Sequence, residues 1–392
     1  MQINTRQILG FDSALLTKQG GALTAAEINQ QPAVWTDVAA VLAEHRAQLD
    51  AFLAPLLAQA DLRIILTGAG TSAFIGKCIA PLMLNKLGRR VEAIPTTDLV
   101  SGPSLYFQAS VPTLMVSFAR SGSSPESLAA VELANQCCAS IHHLIFTCNE
   151  QGELYLQTRK NKNGLAVLLP LATHDRGFAM TSSFTSMFYS ACLAFKLIDG
   201  AAETGAAISQ AGSYVIANAL PLIHRLVARR FERVIYLGSN ELRGLAEEAA
   251  LKLLELSDGQ VLATFDSPLG FRHGPKTMIN DKTLVVVFLS NHETTRKYDL
   301  DLLRELQSDG KAGQIVALSA KADLESNPDY FVVPQFDHAN ALELVFPYVV
   351  FAQLFALLQS LAQGNTPDQP SKSGTVNRVV QGVTIYPLLS GV

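Results

Sequence analysis

Hydrophobic residues occur along this chain in short runs that alternate with longer segments of helical spacing. The runs are apolar throughout and rich in β-branched residues, as is typical of strands buried on both faces of a sheet. Segments 126–136, 242–256 and 298–307 have the apolar spacing of helices. Strands that alternate with helices predict parallel sheets that are covered by helices on both sides.

The pattern of runs occurs twice. Three pairs of runs match without a gap at a separation of 170 residues: 63–68 with 233–238, the run from Thr113 with the run from Thr283, and the run around Ile145 with the run around Ile315. A repeat of this length predicts a duplicated structural unit. We therefore predict an α/β protein of two tandem, doubly wound parallel-sheet lobes of the Rossmann or flavodoxin-like type.

Helical and irregular segments flank the two lobes. The predicted order is an N-terminal helical segment, a first lobe, a second lobe and an irregular C-terminal tail: 1–58, 59–205, 206–364 and 365–392. The most apolar stretch, residues 344–361, contains Pro347 and Gln353. We interpret it as a buried core helix rather than a membrane span.

Composition narrows the function classes. The chain has 392 residues, of which 48% are hydrophobic and 16% charged, which excludes a disordered protein. Its net charge is −4 and no basic tract stands out, so we expect no nucleic-acid partner. The five cysteines lack zinc-type spacing, and the N-terminus lacks the features of a signal peptide. We therefore expect a cytoplasmic protein without a membrane partner.

Two loops that follow predicted strands are candidate ligand sites, because ligands of open parallel sheets bind at the carboxyl ends of the strands. The first, residues 68–73, has the spacing of a dinucleotide fingerprint, and Glu92 lies where a ribose-binding acid is expected. The alternative interpretation is a tight turn that needs glycine for a positive φ. Both interpretations remain open on the sequence of this loop alone.

The second loop carries four hydroxyls, those of Ser121, Ser123, Ser124 and Ser127, around a helix that we expect to start near Pro125. The N-terminus of a helix attracts anions, so such a loop favours a phosphate monoester. A dinucleotide needs no second serine-rich loop, whereas a sugar phosphate does. The simpler alternative, helix capping by Ser123 or Ser124, explains one hydroxyl but not four.

The second lobe offers ionisable side chains instead. Glu248, Lys252 and Glu255 share one face of a predicted helix, where a solvated salt-bridge ladder is the more common arrangement. His273 lies in a turn just before Gly274 and Pro275. A lone histidine is usually structural, but this setting favours one that faces a cleft.

No metal site is predicted. Arg296 stands where a zinc-protease motif beginning at His292 needs a second histidine, and His142 and His143 are adjacent on a strand and so point to opposite faces. The chain also lacks a phosphate-binding P-loop and a G-x-S-x-G nucleophile elbow, so nucleotide and serine hydrolysis are not supported.

Several motifs, taken in this order, resemble the SIS (sugar isomerase) family, in particular its AgaS-type galactosamine-6-phosphate deaminase/isomerases. They are Gly70-Thr71-Ser72, residues 120–127, residues 181–185, residues 248–255, residues 272–275 and the tail Asp368-Gln369-Pro370-Ser371-Lys372-Ser373. The resemblance extends from about residue 40 to the tail. It implies two tandem SIS lobes like the isomerase half of glucosamine-6-phosphate synthase.

The resemblance also implies roles for individual residues. Phosphate contacts fall to Ser72, Ser121, Ser123 and Ser124, and further substrate contacts to Gly70, Thr71, Thr181 and Ser182. The proton-shuttling glutamate is Glu255 with Lys252 beside it, the ring-opening histidine is His273, and the tail lysine that closes over the open-chain sugar is Lys372.

The sequence departs from the family pattern in two places. Ala119 and Arg120 replace a serine and a glutamine of the synthase's phosphate loop, so we expect Arg120 to supply charge-assisted phosphate contacts. Lys372 also lies closer to the Asp-Gln-Pro motif than the tail lysine of the synthase does.

The activity that the resemblance implies is the conversion of galactosamine 6-phosphate to tagatose 6-phosphate and ammonia, without a metal or redox cofactor. It also implies a homodimer whose active site takes His273 from the neighbouring subunit. Two alternatives remain: a ketose/aldose isomerase that releases no ammonia, and a sugar-phosphate sensor without activity. A sensor leaves Lys252, Glu255, His273 and Lys372 unexplained. The residues alone do not distinguish an amine from a hydroxyl at C2, or a galacto from a gluco epimer.

Overall fold

The computed structural model describes residues 7–324, 327, 329–380 and 382–388. The predicted segments therefore extend beyond it at residues 1–6 and 389–392, and residues 325, 326, 328 and 381 are likewise outside the described residues.

The chain divides into two compact units, each made of segments that are distant in sequence. The N-lobe unit comprises Val34–His174, Ser182–Gly200 and Val376–Val392; the C-lobe unit comprises Met1–Ala33, Asp175–Thr181 and Ala201–Thr375. The predicted boundaries after residues 58, 205 and 364 follow the chain order instead. They remain a sequence-based division, because each unit includes part of both terminal segments.

The strands of the described residues are, in chain order, β1 (Gln7–Ile8), β2 (Phe11–Asp12), β3 (Arg63–Thr67), β4 (Arg90–Ala93), β5 (Thr113–Ala119), β6 (Ile141–Thr147), β7 (Gly164–Leu168), β8 (Arg233–Gly238), β9 (Leu262–Asp266), β10 (Thr283–Phe288), β11 (Gln314–Ser319) and β12 (Tyr330–Val332).

The helices are α1 (Ser13–Lys18), α2 (Ala22–Glu44), α3 (Arg46–Leu57), α4 (Thr71–Leu87), α5 (Thr96–Ser101), α6 (Pro103–Tyr106), α7 (Pro125–Cys137), α8 (Glu153–Thr158), α9 (Ser182–Ala194), α10 (Ala202–Asn218), α11 (Leu220–Ala228), α12 (Glu241–Leu256), α13 (Pro268–Phe271), α14 (Glu293–Asp309) and α15 (Ala341–Ala362). Two short 3₁₀ helices span Leu171–Thr173 and Pro275–Met278.

Each unit is built on a parallel sheet of five strands, as predicted. The N-lobe sheet has the order β4-β3-β5-β6-β7, and the C-lobe sheet has the order β9-β8-β10-β11-β12. Counted within each lobe, both orders read second, first, third, fourth, fifth, which is the flavodoxin-like winding. The duplication predicted from the repeat is therefore confirmed at the level of topology.

Both sheets are covered on both faces. In the N-lobe unit α5, α6 and α7 pack on the face that carries Ile65 and Met115, and α4 and α9 lie on the other. In the C-lobe unit α13 and α14 cover the face with Ile235 and Val285, while α12 and α15 pack on the opposite one. The strands are therefore buried on both sides, which explains their continuous hydrophobic runs.

The third pair of repeated runs is displaced from the predicted alignment. In the N-lobe sheet Ser117 pairs with Ile145, whereas the residue that matches Ser117, Val287, pairs with Ala317. The structural counterpart of Ile145 is thus Ala317 and not Ile315. A strand that is apolar on both faces matches another equally well after a shift of two residues, because such a shift keeps every side chain on its face.

Two long helical stretches contain a break. The N-terminal helical segment forms α2 and α3 with a break at His45, and α10 is separated from α11 by a break at Ala219. Pro221 lies in the first turn of α11. A proline has no N–H to donate and fits the first turn of a new helix, so it favours the break there.

The helix predicted in the apolar stretch is α15, which begins with a capping box formed by Asn340 and Glu343. It is long and apolar enough to cross a membrane, but 89% of its most apolar window is buried inside the protein. The packing of α12 against α15 accounts for much of this burial. The prediction of a core helix is confirmed for this segment.

Glycine is required where each first strand turns into its helix. A Cβ atom on Gly68 would lie 2.6 Å from the Ser72 Cβ, and one on Gly238 would lie 2.3 Å from the Leu242 carbonyl oxygen. The two contacts are equivalent in the repeat, since Gly238 and Leu242 each follow their counterparts by 170 residues. The backbone of each loop therefore lies directly against the first turn of the helix.

We expect the substitution Gly238→Ala to destabilise the protein by about 2–3 kcal/mol, because the added methyl group meets backbone atoms that have no room to move. The midpoint of thermal unfolding measures this effect. Gly200→Ala is the matched control, since its Cβ would have only one neighbour, at 3.9 Å. Equal midpoints for the two variants would contradict the close packing of this turn.

Candidate active site

The loops after β3 and β5 lie at the switch point of the N-lobe sheet. From β3 the chain passes to β4 on one side and then to β5 on the other, so the two central strands diverge in their connections. This is the position where open parallel sheets bind ligands. It brings together the predicted phosphate residues, Ser72 from one loop and Ser121, Ser123 and Ser124 from the other.

The first loop ends at Gly70, which has φ +54° and immediately precedes α4. Gly70 offers no side-chain cap, and Thr71 and Ser72 lie in the first turn of the helix with 3% and 5% exposure. The first turn of α4 therefore begins without a side-chain acceptor, next to two buried hydroxyl residues. Such an end favours an anion.

The second loop is held rigidly by its backbone. Gly122 has φ +66°, and a Cβ there would lie 3.1 Å from the Gly152 Cα. The Asn149 side chain donates to the Ser121 carbonyl oxygen at 2.8 Å, and the Leu154 N–H donates to the Gly122 carbonyl oxygen at 2.9 Å. These contacts fix the backbone of the loop against residues 149–154.

The serine hydroxyls do not cap α7. Ser124 occupies the N-cap position but its side chain accepts no hydrogen bond from the helix; instead it donates to the Ser127 hydroxyl at 2.6 Å. The Ser123 hydroxyl accepts from the Glu153 N–H at 3.3 Å. The capping interpretation of these serines is therefore not supported, and the N-terminus of α7 keeps its capacity for an anion.

Arg120 directs part of its guanidinium to the C-terminal tail. Its Nη2 donates to the Arg378 carbonyl oxygen at 2.8 Å, and only 7% of the residue is exposed. This bond links the loop after β5 to the tail. The predicted phosphate contact of Arg120 stays a prediction, with an additional link to the tail that the sequence did not suggest.

Glu92 is engaged in ion pairs. Arg63 Nε lies 2.5 Å and Arg90 Nε 2.9 Å from its carboxylate. Although burial acts to raise it, hydrogen bonds from Arg63 and Arg90 hold the pKa of Glu92 below its ordinary value. A carboxylate bound in this way is a poor partner for ribose hydroxyls, so the structure does not favour the dinucleotide interpretation of the first loop.

Three buried hydroxyls lie at the ends of the strands beside these loops. Within the ranges that the structure describes, the side chains of Thr67, Thr96 and Ser117 have no hydrogen-bond partner. Thr67 and Ser117 are paired in the sheet and so face the same side, and Thr96 follows β4. An unsatisfied buried hydroxyl costs about 1–3 kcal/mol, which is avoided when water or a polar ligand reaches it. The group therefore points to a polar occupant at this edge.

The corresponding edge of the C-lobe sheet holds a carboxylate of the protein itself. Asp299 of α14 is fully buried; its carboxylate accepts from the Ser239 hydroxyl at 2.5 Å and from the Ser290 N–H at 3.0 Å. Burial raises the pKa of Asp299, while Ser239, Ser290 and Arg296 act to lower it. Asp299 thus binds one donor from each of the two loops that match those of the N-lobe.

The predicted acid–base face of α12 is buried rather than solvated. Lys252 is 1% exposed and its Nζ lies 2.5 Å from the Glu255 carboxylate and 3.6 Å from Glu248, which is fully buried. Glu255 keeps 23% exposure. The expectation of a solvated ladder is therefore wrong for Glu248 and Lys252: α15 packs against α12 and removes them from water. Of these three charged side chains, only that of Glu255 reaches solvent.

His273 is an exposed residue of the turn between α13 and the 3₁₀ helix Pro275–Met278. Its backbone N–H donates to the Gly270 carbonyl oxygen, and Gly274 beside it has φ +123°. The neighbouring Arg272 binds Glu305 at 2.7 Å, which anchors the turn to α14. The imidazole is thus presented to solvent from a fixed backbone.

Thr181 is positioned by a buried carboxylate that the sequence analysis did not identify. Asp175 accepts from the Thr181 N–H at 2.8 Å and from its hydroxyl at 3.2 Å. Glu27 of α2 accepts from the Arg176 N–H at 2.5 Å and the Gly177 N–H at 3.0 Å. Ser182, the next residue, starts α9 in the N-lobe unit and is fully buried.

Glu27 titrates far from its ordinary range. Burial, followed by repulsion from Asp175, raises the pKa of Glu27 from 4.5 to about 7, although the bonds from Gly177 and Arg176 act to lower it. Nothing in the local pattern marks Glu27 or Asp175, because the partners lie 149 and 150 residues from Glu27 along the chain. Only the fold reveals this pair.

Lys372 lies exposed in the tail, four residues after a well-anchored aspartate. Asp368 accepts from the Thr24 N–H at 2.8 Å and the Leu23 N–H at 3.1 Å, at the start of α2. The tail motif Asp-Gln-Pro is therefore a docking element on this helix. The structure brings together the predicted loop residues of the N-lobe and, separately, the charged residues of α12. It shows that Lys372 is exposed and that Asp368, four residues earlier, is anchored to α2.

Comparison with known proteins identifies relatives over nearly the whole chain. The model of the SIS domain matches residues 56–197. D-galactosamine-6-phosphate deaminase AgaS of Escherichia coli is 47% identical over 369 residues, which cover 94% of this chain and 96% of the relative.

Solved structures extend the likeness to the fold. A protein of Clostridium novyi NT, named as a candidate tagatose-6-phosphate ketose/aldose isomerase, superposes with a TM-score of 0.94 at 38% identity and covers 97% of this chain and 99% of its own. Tagatose-6-phosphate ketose/aldose isomerase of Escherichia coli has a TM-score of 0.85 at 43% identity, with the same coverage. The fold and the family resemblance predicted from the sequence are confirmed.

We expect the stability gain of Glu27→Gln over the parent protein to be larger at about pH 8 than at about pH 5. A carboxyl whose folded pKa is raised stabilises the fold fully below its unfolded value of 4.5 and loses this contribution as the pH rises through about 7. Glutamine stays uncharged throughout. Midpoints of thermal unfolding across this range measure the difference.

Glu44→Gln is the matched control, since Glu44 lies exposed at the other end of the same helix. Its difference from the parent protein should not change over the same pH range. A constant difference for Glu27→Gln would contradict the raised pKa.

Proposed function

The chain belongs to the AgaS family of SIS-domain proteins, and we propose on this basis that it deaminates D-galactosamine 6-phosphate to tagatose 6-phosphate and ammonia. The observation that carries the proposal is the 47% identity over 94% of the chain to a D-galactosamine-6-phosphate deaminase. The paired loops of the N-lobe and the buried charges of α12 support it from the chemistry of the side chains.

The substrate's phosphate binds, in this proposal, at the loops after β3 and β5. The first turns of α4 and α7 have no side-chain caps, and Ser121, Ser123 and Ser124 add hydroxyl donors beside them. A phosphate monoester accepts many hydrogen bonds and carries the negative charge that helix N-termini favour. The positive charge of Arg120 strengthens the charge complementarity at this site.

The base that moves the proton is Glu255. Opening of the sugar ring produces an aldehyde at C1. Glu255 then removes the proton from C2 while a proton passes from the protonated amino group to the C1 oxygen, which gives an enolamine. Glu255 returns its proton to C1, which leaves a hydroxymethyl group at C1 and an iminium at C2. Water adds to this iminium and the C2–N bond breaks, which releases ammonia and leaves the ketose. A carboxylate next to a fixed ammonium is suited to both directions of proton transfer.

Lys252 holds the Glu255 carboxylate in place. The ammonium of Lys252 binds one carboxylate oxygen, Oε2, and its burial prevents rearrangement. Among the described residues none donates to the other oxygen, Oε1, which leaves it for the substrate. A base that is preorganised in this way loses little orientational freedom during the reaction.

His273 and Lys372 complete the proposed machinery. His273 assists ring opening by proton transfer, and its exposure on a rigid turn suits a residue that serves the active site of a second subunit in a homodimer. Lys372 closes over the open-chain sugar from the tail. We further propose that the protein is cytoplasmic, as its metabolic substrate requires.

A second candidate function is the isomerisation of a ketose and an aldose phosphate without loss of nitrogen. The names of the two solved relatives favour it. The two reactions share ring opening and proton transfer between C1 and C2. They differ only in the fate of the C2 substituent, so the release of ammonia separates them.

We expect the protein to release ammonia from galactosamine 6-phosphate in equal amount to the ketose formed, and Glu255→Gln to lower kcat at least about 1,000-fold, because an amide does not accept the proton. Glucosamine 6-phosphate, tagatose 6-phosphate and galactose 6-phosphate are assayed in parallel. Coupled assays for ammonia and ketose measure both products.

Asp258→Asn is the matched control for the glutamate, since it removes an exposed carboxylate only three residues further along the chain. It should retain the parent rate. Interconversion of the two unaminated sugar phosphates without ammonia release from either amino sugar would favour the second function, and a fully active Glu255→Gln would exclude this residue as the base.

The Ser121→Ala and Ser124→Ala substitutions should each raise KM on the order of 10-fold with a smaller effect on kcat, since a hydrogen bond to a charged group contributes about 1.5–3 kcal/mol. Ser140→Ala is the control, because Ser140 is an exposed residue that precedes β6 at the opposite edge of the same sheet. Initial rates over a range of substrate concentrations measure both constants. An unchanged KM for both variants argues against this phosphate site.

A further inference from the structure

We propose that Asp368 is a positioning residue, which sets the place of Lys372 by docking the tail onto the first turn of α2. This inference rests on the proposed function for one point only, which is the role of Lys372 in the reaction. It goes beyond that function because it assigns a role to a residue of the tail and to a helix that contribute no proposed contact with the substrate.

The docking is made of several hydrogen bonds over a short stretch. The Asp368 carboxylate accepts from the N–H groups of Leu23 and Thr24 and, at 2.7 Å, from the Thr24 hydroxyl. The Asp368 N–H donates to the Gly20 carbonyl oxygen, also at 2.7 Å. One residue thereby caps a helix to which it is not adjacent in sequence, since 344 residues separate it from Thr24.

The backbone of the two segments is in close contact at the same point. A Cβ on Gly20 would lie 2.9 Å from the Thr366 Cβ, and one on Gly21 would lie 3.2 Å from the Leu361 side chain and 3.3 Å from Pro367. Gly20 also has φ +64°. Two glycines in succession thus allow the tail to approach the start of α2, and α2 has no side-chain cap from its own sequence there.

The start of α2 also positions residues 175–181, the segment that contains Thr181. One turn after Thr24, Glu27 binds the backbone of Arg176 and Gly177, and Asp175 in turn binds Thr181. The start of α2 therefore holds the segment that leads to Thr181 as well as the tail that leads to Lys372. A helix that lacks a proposed substrate contact nonetheless sets the position of two segments that have one.

The length of chain between the anchor and the lysine limits how far Lys372 can move. Four residues span at most about 14 Å when fully extended, so the Lys372 Cα stays within that distance of Asp368 while the anchor holds. Loss of the anchor leaves the lysine on a longer free segment. Misplacement of a reacting group by about 1 Å costs up to about 100-fold in rate.

The test combines Asp368→Ala with Lys372→Ala in a double-mutant cycle on the full chain, measured with galactosamine 6-phosphate. We expect Asp368→Ala to lower kcat roughly 10-fold or more with a smaller change in KM. In the Lys372→Ala background it should have little further effect, because the lysine through which it acts is gone. Asp368→Asn, which keeps one carbonyl oxygen as acceptor, should retain more activity than Asp368→Ala.

Asp12→Ala is the matched control. Asp12 caps α1 through the N–H groups of Ala14 and Leu15 and is likewise an aspartate at a helix start, but among the described residues its side chain binds no distant segment. It should leave kcat unchanged. Equal rate losses for Asp368→Ala in the parent and the Lys372→Ala backgrounds would overturn the proposal, as would a Lys372→Ala variant with the parent rate.

Limited proteolysis supplies a readout that does not depend on activity. Trypsin cleaves after lysine, and the bond between Lys372 and Ser373 should be cut about 10-fold faster in Asp368→Ala than in the parent or in Asp12→Ala, since unanchored segments are the ones that proteases reach. Mass spectrometry locates the cut. Unchanged cleavage overturns the docking even if the parent protein shows no deaminase activity, whereas absent activity with faster cleavage contradicts only the proposed function.

Discussion

The free N–H groups at the starts of helices, which meet at the carboxyl edge of each parallel sheet, are the constraint on which the site depends. Every helix that follows a strand of such a sheet leaves N–H groups there that need an acceptor. In the C-lobe unit the Asp299 carboxylate accepts from the Ser239 hydroxyl and the Ser290 N–H, one donor from each of the loops after β8 and β10. In the N-lobe unit the starts of α4 and α7, which follow the equivalent loops, have no side-chain cap. The two copies of one winding thereby differ in the groups that surround the same edge, and the proposed phosphate site uses the N-lobe copy.

The charged residues of α12 follow from a different constraint, which is the cost of burying charge. Lys252 and Glu248 lie inside the packing of α12 against α15, where a single charge is costly and an ion pair is tolerated. The Lys252 ammonium also binds the Glu255 carboxylate, and of these three side chains only Glu255 reaches solvent. A buried pair of this kind contributes little stability but orients its neighbour, and a defined orientation is what the proposed base needs.

Particular elements show how far the sequence leads. The repeat at 170 residues predicts two sheets of equal winding, and the serine-rich loop and the charged face of one helix are visible as patterns because their members are near neighbours in sequence. The register of the third repeated strand was misplaced by two residues, since strands that are apolar on both faces carry little register information. The sequence pattern likewise does not mark the breaks at His45 and Ala219, because apolar spacing continues across them.

The sequence by itself determined the fold class, the duplication and the family, because these depend on periodicity and on motifs whose residues are close together in the chain. Only the tertiary structure decided which charges are buried, that Asp299 binds the Ser239 hydroxyl, and that Glu27 and Asp368 hold distant segments at the start of α2. Such contacts join residues that lie tens to hundreds of positions apart. No local pattern records them, since they exist only after the chain has packed.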